Sequence, residues 1–426
     1  MKRKTKHLIV ISFDGLSTLD FDYISHLPHF QSFLQKASYC KKVTSIYPTL
    51  TYPAHASIIT GRYPKDHGIV SNTLLQPHRK KPDWYWQRKY IKGETLYDQA
   101  IDQGLKVAAL LWPVTAKSRI QCNMPEIIVN RPWQTQLSVS LLNGTARYQY
   151  KLNKMFGHIR KGISQPELDH FTQQSLLYTL KEYKPDLTLV HFTDLDTQRH
   201  GYGFYSTQAK EALERHDQRL GEIMKTLQKE KMDEESTLIL LGDHGSIDTN
   251  KIIYLNSLFQ QKGYLHIKDG IINKWEVIAK TCDGSTYIYI KNKQRKKEVE
   301  KLLHDVAEDQ KNGIETVYSR EEAESLGADP HCAFMLEASV GYYFSDQIRE
   351  VQWGEGFVEK GSMTANHGYS PYKPDYTTVF MISGQGIKPN VVLDQMSLLD
   401  EGPTMAALLG LNLQQAEGRI IEEILT

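Results

Sequence analysis

Three short apolar runs in this 426-residue chain each lead to residues that bind metals. The first is His7–Phe13, followed at once by Asp14. The second is Leu187–Phe192, followed by Asp196 and, four residues on, His200. The third, residues 238–242, runs into Asp243-His244. Short β-rich runs of this kind read as parallel strands buried on both faces. In open α/β sheets, ligands bind just beyond the carboxyl ends of such strands. Hard oxygen and nitrogen donors arriving there three times predict one site built from distant segments, and metal-assisted chemistry.

Between the strands the apolar spacing turns helical. Helices are predicted over residues 28–37, 95–103, 165–183 and 211–229, with further strands over 41–45 and 107–111. Pro53 suits the first turn of a helix that runs to Thr60 and stops at Gly61. A strand over 377–382 and a helix over 403–409 follow near the end. This alternation predicts an α/β fold, a mostly parallel central sheet with helices on both faces. Two stretches break the rhythm. Residues 131–163 are polar, with Tyr148, Tyr150 and Phe156 but no strand pattern, and are expected to form an irregular insertion. Residues 271–346 carry strand 285–290, basic helix 294–308, and strands 315–318 and 334–336, which predicts a small α+β insertion. The catalytic core would then be residues 1–270 and 347–426.

Bulk composition narrows the class. With 40% hydrophobic and 24% charged residues, the chain can bury a large core. Its 51 basic and 50 acidic residues leave a net charge of +1, so no global field favours nucleic acid or an anionic membrane. Cys40, Cys122, Cys282 and Cys332 are far apart and lack CxxC spacing, so no disulfide framework is expected. The basic start lacks the longer apolar segment of a signal peptide, and no stretch reads as a membrane span. The expectation is a cytoplasmic enzyme without a membrane partner; the oligomeric state is not legible.

The candidate side chains differ in how much each says alone. Thr51 falls at or just before a helix start, where backbone N–H groups favour an anion such as phosphate. A capping threonine is the simpler role for it. Asp196 and His200 share one face if they lie on a helix, and can still converge from a loop. Adjacent Asp243 and His244 reach one ion only where the backbone turns, which flanking Gly242 and Gly245 permit. His367 is a further candidate from a loop. His55 is expected as a hydrogen-bonded core residue, His191 as buried and neutral, and His67 at a helix-to-loop junction. His78, His158, His170 and His216 are expected to be solvated.

Pro48-Thr-Leu-Thr-Tyr-Pro-Ala-His55, followed by Thr60-Gly-Arg-Tyr-Pro-Lys-Asp-His-Gly-Ile69, resembles the nucleotide pyrophosphatase/phosphodiesterase family of the alkaline phosphatase superfamily. The resemblance extends in order through Asp14, Thr51, Asn72, Asp196, His200, Asp243-His244 and His367, and covers nearly the whole chain. It implies an alkaline-phosphatase-like core and two metal ions. Asp14, Thr51, Asp243 and His244 would hold one, and Asp196, His200 and His367 the other. Carboxylate and imidazole donors without thiolate suit Zn²⁺, with Mn²⁺ the alternative. The resemblance also implies a phospho-Thr51 intermediate, with Asn72 hydrogen-bonding a phosphoryl oxygen. Tyr52 follows the nucleophile where the family often carries a base-stacking aromatic; core packing is its other reading.

Two departures touch the substrate. The family commonly has an acidic residue, proline and aspartate at its second metal pair, and a glycine before the histidine. This chain has Asp194-Leu-Asp196 and Arg199-His200, so Arg199 faces either solvent or a substrate phosphate. The leading expectation is hydrolysis of phosphodiester or phosphoanhydride bonds in a small phosphate ester, a nucleotide first of all. Hydrolysis of another phosphoester or a phosphonate on the same site is the near alternative. A metal-binding protein without turnover is the distant one, since neither nucleophile nor ligand is missing.

Overall fold

Strand His7–Phe13 lies at the centre of a nine-stranded sheet, fully buried, parallel to Leu187–Phe192 on one side and Ser236–Leu241 on the other. Phe13 pairs with Phe192, and Ser12 with Leu241. This register brings the three carboxyl ends to one level. In space the sheet runs Val392–Leu393, Ser38–Thr44, Thr378–Gly384, Ser236–Leu241, His7–Phe13, Leu187–Phe192, Val107–Leu110, Cys122–Met124, with Met396–Ser397 beside Ser38–Thr44. Among the described strands of this sheet, only Thr378–Gly384 runs antiparallel to its neighbours. The computed structural model describes residues 2–347, 349 and 356–426. Positions 348 and 350–355, at the start of the expected return to the core, lie outside the described residues.

Side chains alternate across a strand. Leu8 and Val10 therefore join one apolar cluster, with helices Thr51–Thr60, Leu96–Asp102 and Glu401–Leu408. Ile9, Ile11 and Phe13 join the other, with Pro28–Leu34, Glu167–Tyr183 and Thr207–Lys229. Each such fully buried side chain contributes about 1.5–3 kcal/mol. Thr51–Thr60 is buried along its whole length and ends at Gly61, whose φ of 66° is left-handed. A Cβ at Gly61 would also come within 2.8 Å of Ala416 Cβ.

Residues 131–163 are not irregular. They form two helices, Gln136–Asn143 and Ala146–Phe156, the first opened by a Thr135/Ser138 capping box. Their apolar anchors, Val139, Tyr148 and Leu152, are too few to give a clear periodic signal among polar neighbours. Beyond residue 271 the strands and helix expected there are present, within a four-stranded antiparallel sheet ordered Val277–Cys282, Ser285–Ile290, Phe334–Ala338, Ile314–Ser319. Strand Val277–Cys282 and helix Arg320–Ser325 are additions to the sequence reading. The hairpin of Leu265–Lys268 and Ile271–Trp275 straddles residue 270, and the cluster packed under this sheet also takes in Ile253, Phe259, Tyr369 and Tyr376.

Candidate active site

Asp14, Asp196, Asp243, His244 and His367 are all buried within this one end of the sheet. Asp14 follows the central strand directly. Asp196 and His200 sit on helix Asp194–Tyr202, which settles the sequence ambiguity in favour of one helical face. Asp243-His244 follows Ser236–Leu241. Gly242 and Gly245 serve by close approach and not by a left-handed turn: a Cβ at Gly242 would lie 2.0 Å from the Leu16 carbonyl oxygen, and one at Gly245 3.0 Å from Tyr376. His367 arrives after strand Ala365–Asn366.

These residues fall into two groups with metal-compatible spacing, Asp14/Asp243/His244 and Asp196/His200/His367, and a third such group joins Asp243 to His55 and His191. His244 Nε2 lies 3.3 Å from both Asp14 Oδ1 and Asp243 Oδ2, and 3.3 Å from Thr51 Oγ1. His200 Nε2 lies 3.0 Å from Asp196 Oδ2, and His367 Nε2 3.9 Å from Asp196 Oδ1. The groups abut, because the His244 and His367 rings stack with centroids 3.9 Å apart. Each histidine turns Nδ1 to a backbone carbonyl: Gly245 for His244, Ala365 for His200, Thr49 for His367. Donating there leaves Nε2 as the coordinating nitrogen.

Electrostatics favour a cation. Asp14 Oδ1, Asp196 Oδ1 and Asp243 Oδ2 are buried without a hydrogen-bond donor. With its proton on Nδ1, His244 turns a lone pair toward two of those oxygens, an arrangement that a shared cation resolves. Burial, then the Asp243 and Asp196 charges, push the Asp14 carboxyl well above its ordinary range. Burial raises Asp243 to about 6. Burial also pushes His244 and His367 down to about 4, keeping both imidazoles neutral. Against the same burial penalty, the Asp196–His200 pairing lowers Asp196 and lifts His200 to about 9.

A cavity of about 600 Å³ opens over the two groups, within the range of small-molecule sites. Asp14, Thr51, Asn72, Asp196, His200 and His367 line it, while Asp243 and His244 are fully buried and do not. Asn72 Oδ1 accepts from the Tyr52 N–H at 3.0 Å, which orients the amide and leaves its NH₂ as the donor. Tyr52 itself is wholly buried, packs edge-on against Trp84 and does not line the cavity. Trp84 does. The core-packing reading of Tyr52 is therefore the one its position fits. Tyr148, Tyr150 and Phe156 do not line the cavity either. Arg199 reaches neither solvent nor cavity: it is buried, bonds the Gly15 carbonyl and Asp20, and lies over Phe204.

Other expectations resolve by burial. His55 is a core residue, bonded to the Thr51 carbonyl and Ser12. His67 ends a short helix and bonds Ser57. His216 is buried against Phe13 and Arg219, not solvated as expected, because it lies on the inner face of its helix. His191 is buried as expected, and Asp14 at 3.2 Å and Glu126 at 3.1 Å outweigh burial and raise it well above the ordinary value. Sequence reasoning missed Glu126, Arg160, Lys280 and Asp283 on the cavity wall. Asp283-Gly284 signals a hairpin turn, and nothing in that pattern signals a cavity.

The family model described as type I phosphodiesterase / nucleotide pyrophosphatase matches residues 8–370. The chain belongs to this family. It is 29% identical over 245 residues to human ectonucleotide pyrophosphatase/phosphodiesterase family member 1, covering 54% of this chain and 22% of that protein. A pyrophosphatase/phosphodiesterase of Schizosaccharomyces pombe, itself uncharacterised, is 24% identical over 273 residues, covering 61% of this chain and 49% of that protein. The match thus takes in between about a fifth and a half of these relatives' length. In fold the chain is similar to murine ectonucleotide pyrophosphatase/phosphodiesterase 5, in an inactive threonine-to-alanine variant in complex with AMP. The TM-score is 0.70 at 20% identity, over 99% of this chain and 100% of that one.

Proposed function

We propose that the chain is a two-metal phosphodiesterase and nucleotide pyrophosphatase acting through a phospho-Thr51 intermediate. In this reading Asp14, Thr51, Asp243 and His244 hold one divalent ion, and Asp196, His200 and His367 the other. Zn²⁺ is the first choice and Mn²⁺ the second on donor chemistry. When bound, such ions supply positive charge to phosphoryl oxygens and ease ionisation of a coordinated hydroxyl. Thr51, the first residue of its helix, presents Oγ to phosphorus where N-terminal N–H groups favour an anion. The Thr51 O–P bond forms as the P–O bond to the leaving group breaks, and the Thr51 proton departs with that oxygen. Water then cleaves the Thr51 O–P bond, giving its hydroxyl to phosphorus and its proton to Thr51. The Asn72 NH₂ donates to a non-bridging oxygen.

The observation that carries this reading is the facing of donor-less carboxylate oxygens and carbonyl-anchored imidazoles beside the Thr51 hydroxyl. Family membership supports the reaction class, and the AMP complex of the murine protein supports a nucleotide. Trp84 offers a flat apolar face on the cavity wall for a base. Cytoplasmic residence belongs to the same proposal, supported by four buried free thiols; cell fractionation tests it. Comparing rates on a nitrophenyl nucleotide diester and the matching monoester tests the activity. The diester is expected to be the better substrate, and a clear monoester preference overturns the diesterase assignment.

A further inference from the structure

Among the described residues, twelve large apolar or aromatic side chains are well exposed, and six fall within residues 131–163: Trp133, Leu137, Leu142, Tyr150, Met155 and Ile163. Trp133 is 79% exposed, Leu142 76% and Ile163 61%. An exposed apolar concentration on an otherwise ordinary surface marks an interaction site. The same segment has a charge bias hidden by the chain's near-zero total. From Ile127 to Pro166 there are six Arg or Lys residues and no Asp or Glu. Arg131 is paired with Asp83 and Lys161 with Glu167. Lys151 lies over the Tyr178 ring. Arg147, Lys154 and Arg160 take part in no ion pair among the described residues.

The two helices divide their faces. Val139, Tyr148 and Leu152 face the protein, and Gln149 and Asn153 line the cavity. Arg147, Tyr150, Lys151, Lys154 and Met155 form the exposed side of the second helix. Basic residues interleaved with aromatic and aliphatic ones on an exposed helical face match a surface of anionic lipid headgroups over acyl chains. The charge rules out a cationic partner. The protruding Leu142, Ile163 and Trp133 need an apolar layer to enter, which a polyanion alone does not offer. Leu137 and Ile163 also line the cavity, so a docked face sets the cavity mouth against the layer. No helix among the described residues is long and apolar enough to cross a membrane, so any attachment through this face is peripheral.

We propose that the helical pair within residues 131–163 docks the protein onto an anionic lipid bilayer. Co-sedimentation of the full chain with vesicles of phosphatidylcholine alone, and of phosphatidylcholine mixed with phosphatidylglycerol, tests this. Binding to the mixed vesicles only, weakening as salt rises, is expected. Arg147→Gln and Lys154→Gln each lower the partition coefficient about fivefold. Leu142→Ser lowers it about tenfold, and Lys154→Arg restores it. None of these residues lines the cavity, so turnover of a soluble nitrophenyl diester and the thermal midpoint stay at their unmutated values. Equal binding to neutral vesicles, no binding to either kind, or partition unchanged by these substitutions overturns the proposal. Binding to a single-stranded oligonucleotide without binding to mixed vesicles also overturns it, in favour of a nucleic-acid surface.

Discussion

His191 offers a way to perturb one metal group without touching any of the seven proposed ligands. It lies wholly buried in the Leu187–Phe192 strand, with Nε2 3.2 Å from Asp14 Oδ2 and Nδ1 3.1 Å from Glu126. It thereby links a carboxylate on the cavity wall to a ligand candidate beneath it. His191→Phe keeps a ring of similar size against His55, 4.3 Å away, and removes the ion pair with Asp14 and the hydrogen bond to Glu126. A hydrogen bond to a charged group contributes about 1.5–3 kcal/mol. Loss of such an outer partner typically costs about 10–100-fold in metal affinity, or about 1.4–2.7 kcal/mol. The loss should fall on the Asp14/Asp243/His244 group alone, because His191 touches none of Asp196, His200 and His367. Metal content is measured after equilibration with chelators of graded strength. The variant should release one equivalent at about 10–100-fold higher free metal than the unmutated protein and hold the other normally. Added metal should restore diester hydrolysis. Two equivalents retained at unmutated affinity, or equal loss of both, would refute the argument that His191 positions Asp14.

Thr51→Ala should reduce kcat by at least about a thousandfold while the thermal midpoint and most metal binding hold; a near-normal rate would make water the nucleophile. His367→Ala should leave one metal equivalent by elemental analysis, and two full equivalents would remove His367 from the ligand set. His67 supplies a pH test away from the metals. Burial pushes it from 6.5 down to about 3, so its contribution is complete above the unfolded value and is lost as pH falls through the window below 6.5. With those values the loss near pH 5 is about 2 kcal/mol. Urea midpoints for His67→Gln should change less between about pH 7.5 and about pH 5 than those of the unmutated protein. Parallel pH profiles would show that His67 is not the group responsible.

The strands were legible because burial on both faces makes them apolar without interruption, and three-strand register then carries each carboxyl end to the same edge. Asp14 and Asp243 follow from that alone. Asp196 and His200 needed one more fact, the helix Asp194–Tyr202, which a strand-end pattern does not specify. The helices within 131–163 stayed hidden for the opposite reason. A helix with one side on a cavity and another exposed buries too few residues to set a clear period, and Gln149 and Asn153 look like surface residues until the cavity beside them is known. Tyr52 and His216 show the same limit. Sequence leaves Tyr52 open between a ligand and the core and assigns His216 to solvent, yet both belong to the core by the side of the helix they occupy.

That contrast separates the two tasks of the site. Candidate metal ligands sit at strand ends or on a helix tied to them, where burial and pairing fix the backbone. The position of Arg199 shows how strongly: it fastens the ligand-bearing helix to Gly15 and Asp20 at the end of the first strand. The rest of the cavity wall is drawn in part from Trp84, Glu126, Arg160, Lys280 and Asp283, which lie outside those strand ends, in loops and in the two insertions. Changes at Trp84 or Arg160, neither of which contacts Asp14 or Asp243, can alter the accepted ester without moving those two residues. Substitutions at Trp84 or Arg160 should therefore act on substrate preference, read as changed ratios of kcat/KM between esters. Substitutions at His191 or Arg199 should depress turnover of all esters together.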